Sequence, residues 1–457
     1  MGTVLGPTRL NQAVFGMGDY TLRRTDVNDA SERAGKLGRK TVDARLGDPT
    51  VFGLKTYPRY TALVEEALRD PRSLSYGDAR GVNDLREILG RGNVEFGRDG
   101  YAISPERIFI GSGISGVTRS LFTAITNKGD EVVIPKWSYI IYFAEAALSE
   151  AKVVNVRLAE RGEVDLNSLR DSITKNTKAI FVTTVGNPLG VAMRMETFSE
   201  IIRIVNAKER VFNHPIYLVA DTIYEGFRTG SPCIDPIALS IKEGRLGPTI
   251  ELYSISKLIS APGARIGWMR IYHNNEDFKD EVDDFVESLA RLFQPTLGAT
   301  ATPFQSALAK LYSGLSQQGL RNEFEDFKTT RRIEAIGRTR KLLDALSEID
   351  GLVFPEYYYN EGRIDCNSLN SFYVLFGVDK SLRPRAIFSQ ARELADFLLE
   401  TEGYPVLLAT PGDSFLASEL RGKEQEFMRV VALFENSAEV VQGIKMFVES
   451  KRGRPHY

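Results

Sequence analysis

Histidine and cysteine are almost missing from this chain, with three and two copies in 457 residues. Cys233 and Cys366 stand far apart and without metal-ligand spacing. That excludes a disulfide framework and fits a reducing compartment, where both read as small buried hydrophobes. His214 and His273 flank apparent strands and His456 sits in the tail, so neither a histidine triad nor a zinc site is expected. No apolar run approaches the length of a membrane span, and the N-terminus lacks a charged-then-apolar signal pattern. MGTVLG begins like a myristoylation site but carries Gly6 where Ser or Thr is needed. A net charge of −2 offers no general attraction to nucleic acid or membrane. The expected location is the cytoplasm. Any chemistry here must rest on lysine, carboxylate, tyrosine or a cofactor.

What is present is a composition of 43% hydrophobic and 26% charged residues, that of a soluble globular protein long enough for two domains. From about residue 105 to 272, β-rich runs alternate with helical patterns. RIFIG, DEVVIP, AKVVNVRL, AIFVTTV, IYLVAD, IELYSIS and ARIGWMRIY are the strand candidates. Such alternation predicts βα units and a mostly parallel sheet covered on both faces. Residues 276–347 are helical by pattern. After them SFYVLFGV, PVLLATPG and MRVVALF alternate with helices as a smaller α+β unit. There is no internal repeat, and residues 1–30 are polar and irregular.

The strand ends carry the polar groups. IYLVAD stops at Asp221, with Tyr224 three residues later. AIFVTTV runs into GNPLG, which puts Asn187 in a turn forced by Gly186, Pro188 and Gly190. IFIG runs into SGISG and straight into a helix, and IELYSIS runs into Lys257. In a parallel sheet these ends share one crevice.

In order along the chain, LGDP (46–49), YGDARG (76–81), GSGISG (111–116), PKW (135–137), GNPLG (186–190), DTIY (221–224), SISK…R (254–265), PGDSF (411–415) and MRV (428–430) resemble the class I/II aminotransferases. These are fold-type-I enzymes that use pyridoxal 5′-phosphate (PLP). The resemblance covers roughly residues 40–450. It implies a seven-stranded, mostly parallel sheet flanked by helices in a large domain at 56–312. A smaller α+β domain would combine 1–55 with 313–457.

It also implies roles. Lys257 resembles the Schiff-base lysine that moves the substrate Cα proton by way of an aldimine and a quinonoid intermediate. An amine among small residues is partly desolvated and more easily neutral, and the apolar strand leading into it argues against a surface lysine. Asp221 resembles the partner of the pyridine nitrogen, against a turn-capping aspartate as the ordinary alternative. Arg265, Ser254 and Ser256, with the backbone of Gly113 and Ile114, resemble the phosphate site. Gly116 departs from the family, which has a larger residue there. Trp137 resembles the aromatic stacked on the ring, against an ordinary core tryptophan. Asn187 and Tyr224 resemble the pair that hydrogen-bonds the phenolic oxygen, although a turn asparagine fits Asn187 locally. Arg429, inside an apolar strand, resembles the arginine for the substrate α-carboxylate, against a structural salt bridge.

Tyr76 resembles the tyrosine that reaches the phosphate of a neighbouring subunit, which implies a homodimer. The expected partners are an α-amino acid and a 2-keto acid, with no metal, nucleic acid or membrane. The leading activity is amino-group transfer; the alternative is a lyase, decarboxylase, oxidase or carbon–carbon bond-forming reaction on the same scaffold. A DNA-binding regulator with this fold is disfavoured, because the forty residues before LGDP lack a helix-turn-helix pattern. GRIDCNSLNSFYVLF and the loop from Asp48 to Arg59 are expected to border the substrate pocket; the aromatic run EYYYN (356–360) is a candidate to line it, against a surface turn as the ordinary alternative. No second arginine can be assigned to a substrate side-chain carboxylate, so a preference for aspartate or glutamate is not supported.

Overall fold

The computed structural model describes residues 28–92, 94–96, 100–296, 299–382, 389–411, 415, 426–435 and 437–452. Residues 1–27 of the expected small domain, residues 453–457 and residues 412–414 of PGDSF lie outside that range.

In chain order the regular elements are α1 (Asn28–Lys36), β1 (Thr41–Asp43), α2 (Pro58–Arg69), α3 (Asn83–Gly90), β2 (Ile108–Ser112), α4 (Gly113–Ile125), β3 (Glu131–Pro135), α5 (Ile140–Leu148), β4 (Lys152–Val156), α6 (Leu166–Ser172), β5 (Thr177–Thr183), α7 (Met195–Phe212), β6 (Tyr217–Asp221), α8 (Pro236–Lys242), β7 (Thr249–Ser254) and β8 (Ile266–Tyr272). Then come α9 (Lys279–Thr296), α10 (Thr302–Gly314), α11 (Gln318–Ser347), β9 (Leu352–Val353), β10 (Tyr359–Asn360), β11 (Arg363–Ile364), β12 (Tyr373–Val378), α12 (Gln390–Glu400), β13 (Val406–Leu408), β14 (Thr410–Pro411), β15 (Met428–Val431) and α13 (Ala438–Arg452).

Seven strands form one sheet in the order β2-β8-β7-β6-β5-β3-β4. Only β8 runs against its neighbours. The apolar runs are continuous rather than alternating because both faces are covered. Successive residues feed opposite cores: Phe181 and Val219 pack into one cluster, Ile180, Val182, Leu218 and Ala220 into another. β6 and β7 are buried along their whole length. Their carboxyl ends therefore have no freedom to wander, and the residues just beyond them are held to one place.

The helical stretch at 276–347 is divided among α9, α10 and α11. The last, α11, is 30 residues long, about 45 Å. Beyond it β14-β15-β12-β9 make a four-stranded antiparallel sheet. β1 pairs in parallel with β13, which ties the segment at Thr41–Asp43 to the C-terminal unit. The loop after β1 thereby arrives at the ends of β6 and β7. Among the described residues no helix is long and apolar enough to cross a membrane.

Candidate active site

A cleft of about 260 Å³ opens where the large sheet, the loop after β1 and the small sheet meet. Asp221, the last residue of β6, lines it and is 4% exposed. Its Oδ1 accepts the Ile223 N–H at 3.0 Å and its Oδ2 accepts the Tyr142 hydroxyl at 2.5 Å. Burial pushes the carboxyl up to about 6, against the lowering pull of those two bonds and of the Lys257 charge.

Lys257, three residues past β7, enters the same cleft half-buried and donates to the Gly47 carbonyl at 2.5 Å. Gly47 has to be glycine, since a β-carbon there would collide with the Tyr373 hydroxyl.

One end of the cleft is built for an anion. The Ser254 and Ser256 hydroxyls share a 2.7 Å hydrogen bond, and Ser254 also donates to the Ile266 carbonyl at 2.8 Å. Arg265 closes its turn with φ 54° and reaches the Ser112 carbonyl at 3.1 Å. Opposite lies the start of α4, where Ser112 makes no side-chain capping bond. The positive end of that 13-residue helix faces the cleft through Gly113, Ile114 and Ser115. At Gly113 φ is +68° and a β-carbon would come within 2.7 Å of the guanidinium, so only glycine lets arginine and helix start approach.

The far end holds Arg429, 5% exposed on β15. Its guanidinium donates to Asn187 Oδ1 at 3.2 Å, to Thr410 Oγ1 at 3.1 Å and to the Arg45 carbonyl, all neutral oxygens. It lies over the Tyr373 ring at 4.6 Å and the Phe415 ring at 5.0 Å. Asn187 precedes Pro188 through a cis peptide. Tyr224 lies between the two ends, with its hydroxyl 2.6 Å from that of Tyr373. Arg45 also borders the cleft, but its guanidinium is bidentate on Asp43, at 2.8 and 2.6 Å.

The structure thus brings Lys257, Asp221, Tyr224, Asn187, Ser254, Ser256, Arg265, Gly113, Ile114 and Arg429 to one cleft. Two expected residues are elsewhere. Trp137 is corrected: its backbone turns with φ 62°, its ring packs edge-on to Phe427 at 5.8 Å, and it lines a separate small cavity. The aromatic that faces the cleft from this turn is Tyr139. Tyr76 does not reach the cleft of its own chain and is fully exposed. The EYYYN run does not line the cleft: Tyr359 and Asn360 are exposed, while Tyr358 is buried and its hydroxyl donates to the Leu189 carbonyl at 3.2 Å.

Tyr139 and Tyr142 stand outside the segments expected at the site, whereas Ser115, Gly47 and Tyr373 lie within GSGISG, LGDP and GRIDCNSLNSFYVLF without an individual role there. A signal existed for the first two: tyrosines three apart at a helix start lie on one side of it. For Tyr373 the segment is marked but not the side chain, since an aromatic in an apolar strand ordinarily fills space.

The family model for aminotransferase class I and II matches residues 47–439. Tyrosine aminotransferase of Dictyostelium discoideum is 28% identical over 320 residues, which are 69% of this chain and 71% of that one. Glutamate-pyruvate aminotransferase AlaA of Escherichia coli (strain K12) is 27% identical over 65% of this chain and 69% of its own. Among solved structures, an alanine aminotransferase from Pyrococcus furiosus superposes with a TM-score of 0.74 at 21% identity, covering 97% of this chain and 100% of that one. An aspartate aminotransferase of Thermus thermophilus gives 0.72 at 23% identity, over 97% and 98%.

Proposed function

The chain belongs to the class I and II aminotransferases and is a PLP-dependent enzyme of that kind; from this premise we propose how its own residues divide the work. The observation that carries the proposal is the convergence of Lys257, Asp221 and Arg265 on one cleft from three separate strand ends. The cleft suits PLP on its own chemistry. A buried carboxyl held up near 6 calls for a cation, which a pyridinium supplies. An arginine, three hydroxyls and an uncapped helix start call for a phosphate. When bound, PLP supplies an electron sink that stabilises negative charge on the substrate Cα.

Lys257, whose Nζ enters the cleft beside the Gly47 carbonyl, would hold the cofactor and would be the base placed to carry a proton to and from the substrate Cα. Asp221 keeps the ring nitrogen protonated, an ion pair worth about 4 kcal/mol gross at an effective dielectric of 20. The Tyr142 hydroxyl and the Ile223 N–H hold that carboxylate in one orientation. Ser254, Ser256, Arg265 and the start of α4 would bind the phosphate, and Tyr139, which lines the same cleft, would pack against the ring. Tyr224 would donate to the phenolic oxygen. Arg429, steadied by Asn187, takes the substrate α-carboxylate in a two-pronged grip. The two substrates are an amino acid and a 2-keto acid.

Tyr76, exposed on one subunit, contacts the phosphate of a second, which makes the working unit a homodimer. Both cysteines are half-buried and neither is in a disulfide, in keeping with a cytoplasmic enzyme.

The test adds amino acids singly to the PLP-loaded protein and follows the visible band together with release of the matching keto acid. The parent converts with at least one donor. Lys257→Ala shows neither the lysine-dependent band nor turnover, a loss of at least ~1,000-fold. A variant as yellow and as active as the parent sinks this assignment.

A further inference from the structure

Tyr373 sits on β12, in the small sheet, yet its hydroxyl ends inside the cleft, 2.6 Å from the hydroxyl of Tyr224. Both phenols are buried, at 1% and 3% exposure. The same ring carries the Arg429 guanidinium on its face at 4.6 Å. Gly47 has no side chain where this hydroxyl needs room, and the Gly47 carbonyl receives the Lys257 amine. One side chain therefore touches the group at the phenolic oxygen, the arginine for the carboxylate, and the loop that steadies the lysine.

We propose that Tyr373 is a positioning residue, whose hydroxyl sets the donor direction of Tyr224 while its ring sets Arg429. This rests on the reading of the cleft as a PLP site.

Proton count decides the direction. Each phenol has one proton to donate. If Tyr224 gives its proton to Tyr373, it faces the cleft only as an acceptor. If Tyr373 donates, Tyr224 keeps its own proton for an anionic oxygen in the cleft, and accepting a bond makes it a stronger donor. A phenolate in the cleft selects the second arrangement. Burial raises Tyr224 well above the ordinary phenol range, so it stays protonated across the working range. A contact that served packing alone would need the ring and not the hydroxyl.

Tyr373→Phe keeps the ring and removes the hydroxyl. In the PLP-loaded variant, Tyr224 donates less strongly to the phenolic oxygen. More negative charge is left there to hold the neighbouring proton, so the pH midpoint of the visible-band change rises by about one unit. The value of kcat falls about tenfold, and KM for the amino donor stays within about twofold because the ring still supports Arg429. Tyr373→Leu removes the ring as well and raises KM about tenfold. The double variant Tyr224→Phe/Tyr373→Phe has the same midpoint as Tyr224→Phe alone, since the hydroxyl acts through Tyr224.

A midpoint and kcat in Tyr373→Phe equal to the parent's overturn the proposal, as do additive shifts in the double variant. Failure of the PLP reading shows separately, as a parent with no lysine-dependent visible band.

Discussion

Tyr142 donates its hydroxyl to Asp221 at 2.5 Å, from the first turn of α5 to the last residue of β6. Burial around this pair pushes the Asp221 carboxyl up to about 6 from an ordinary 3.8. Without cofactor, the native protein therefore binds more protons than the unfolded chain between about pH 4 and 6. Stability accordingly falls as pH rises through that window, by up to ~3 kcal/mol for about two units at 1.36 kcal/mol each. Cofactor-free Asp221→Asn lacks this component, so its melting temperature gains on the parent's as pH goes from 4 to 6. Parallel melting curves for the two proteins contradict the prediction. PLP restores the balance by offering Asp221 a cation, so loading stabilises the parent more at pH 7 than at pH 5.

Tyr139 and Trp137 separate cleanly by experiment. Tyr139→Ala uncovers the cofactor ring and weakens PLP binding about tenfold, the scale of one aromatic contact. Trp137→Phe leaves PLP affinity within about twofold and lowers the melting temperature instead, because it thins packing against Phe427. Equilibrium dialysis with PLP alongside thermal melts reads both quantities, and the reverse pattern returns Trp137 to the cofactor.

Arg429→Lys keeps the charge and loses the planar fork. KM for the amino donor rises roughly 100-fold, in line with about 2–3 kcal/mol for a charge-assisted pair, while PLP affinity is unchanged. Steady-state kinetics with two donors check this. An equal loss of PLP would instead mean that Arg429 holds up the whole cleft.

Tyr76 is fully exposed in the single chain, so replacing it should alter folding stability by no more than ~0.5 kcal/mol. If it serves the neighbouring site, Tyr76→Phe lowers PLP affinity about fivefold without that cost. Sedimentation should give twice the chain mass of 51.0 kDa. A monomer that turns over at full rate rules this contact out.

How much was legible in the chain depends on the kind of group. Lys257, Asp221, Asn187 and Gly113 could be read because each sits at the carboxyl end of a strand whose apolar run is unmistakable, and a parallel sheet gathers such ends in one crevice. Tyr139, Tyr142 and Tyr373 are harder to read, because a tyrosine has the same local appearance whether its hydroxyl meets a core carbonyl or a catalytic carboxylate; the spacing of the first two marks only a shared side, and the segment around the third only a place near the pocket. Trp137 was misread for a related reason. Its residue type suits stacking, but a left-handed backbone at that position turns the ring away.

The sequence by itself determined the strand–helix alternation, the strand ends and the small residues that leave room between two cations, since these come from periodicity and local sterics. Only the tertiary structure decided that β12 and β15 deliver Tyr373 and Arg429 to the ends of β6 and β7, well over a hundred residues away in the chain. Register between distant strands is set by side chains packing across sheets, and no local pattern carries that information.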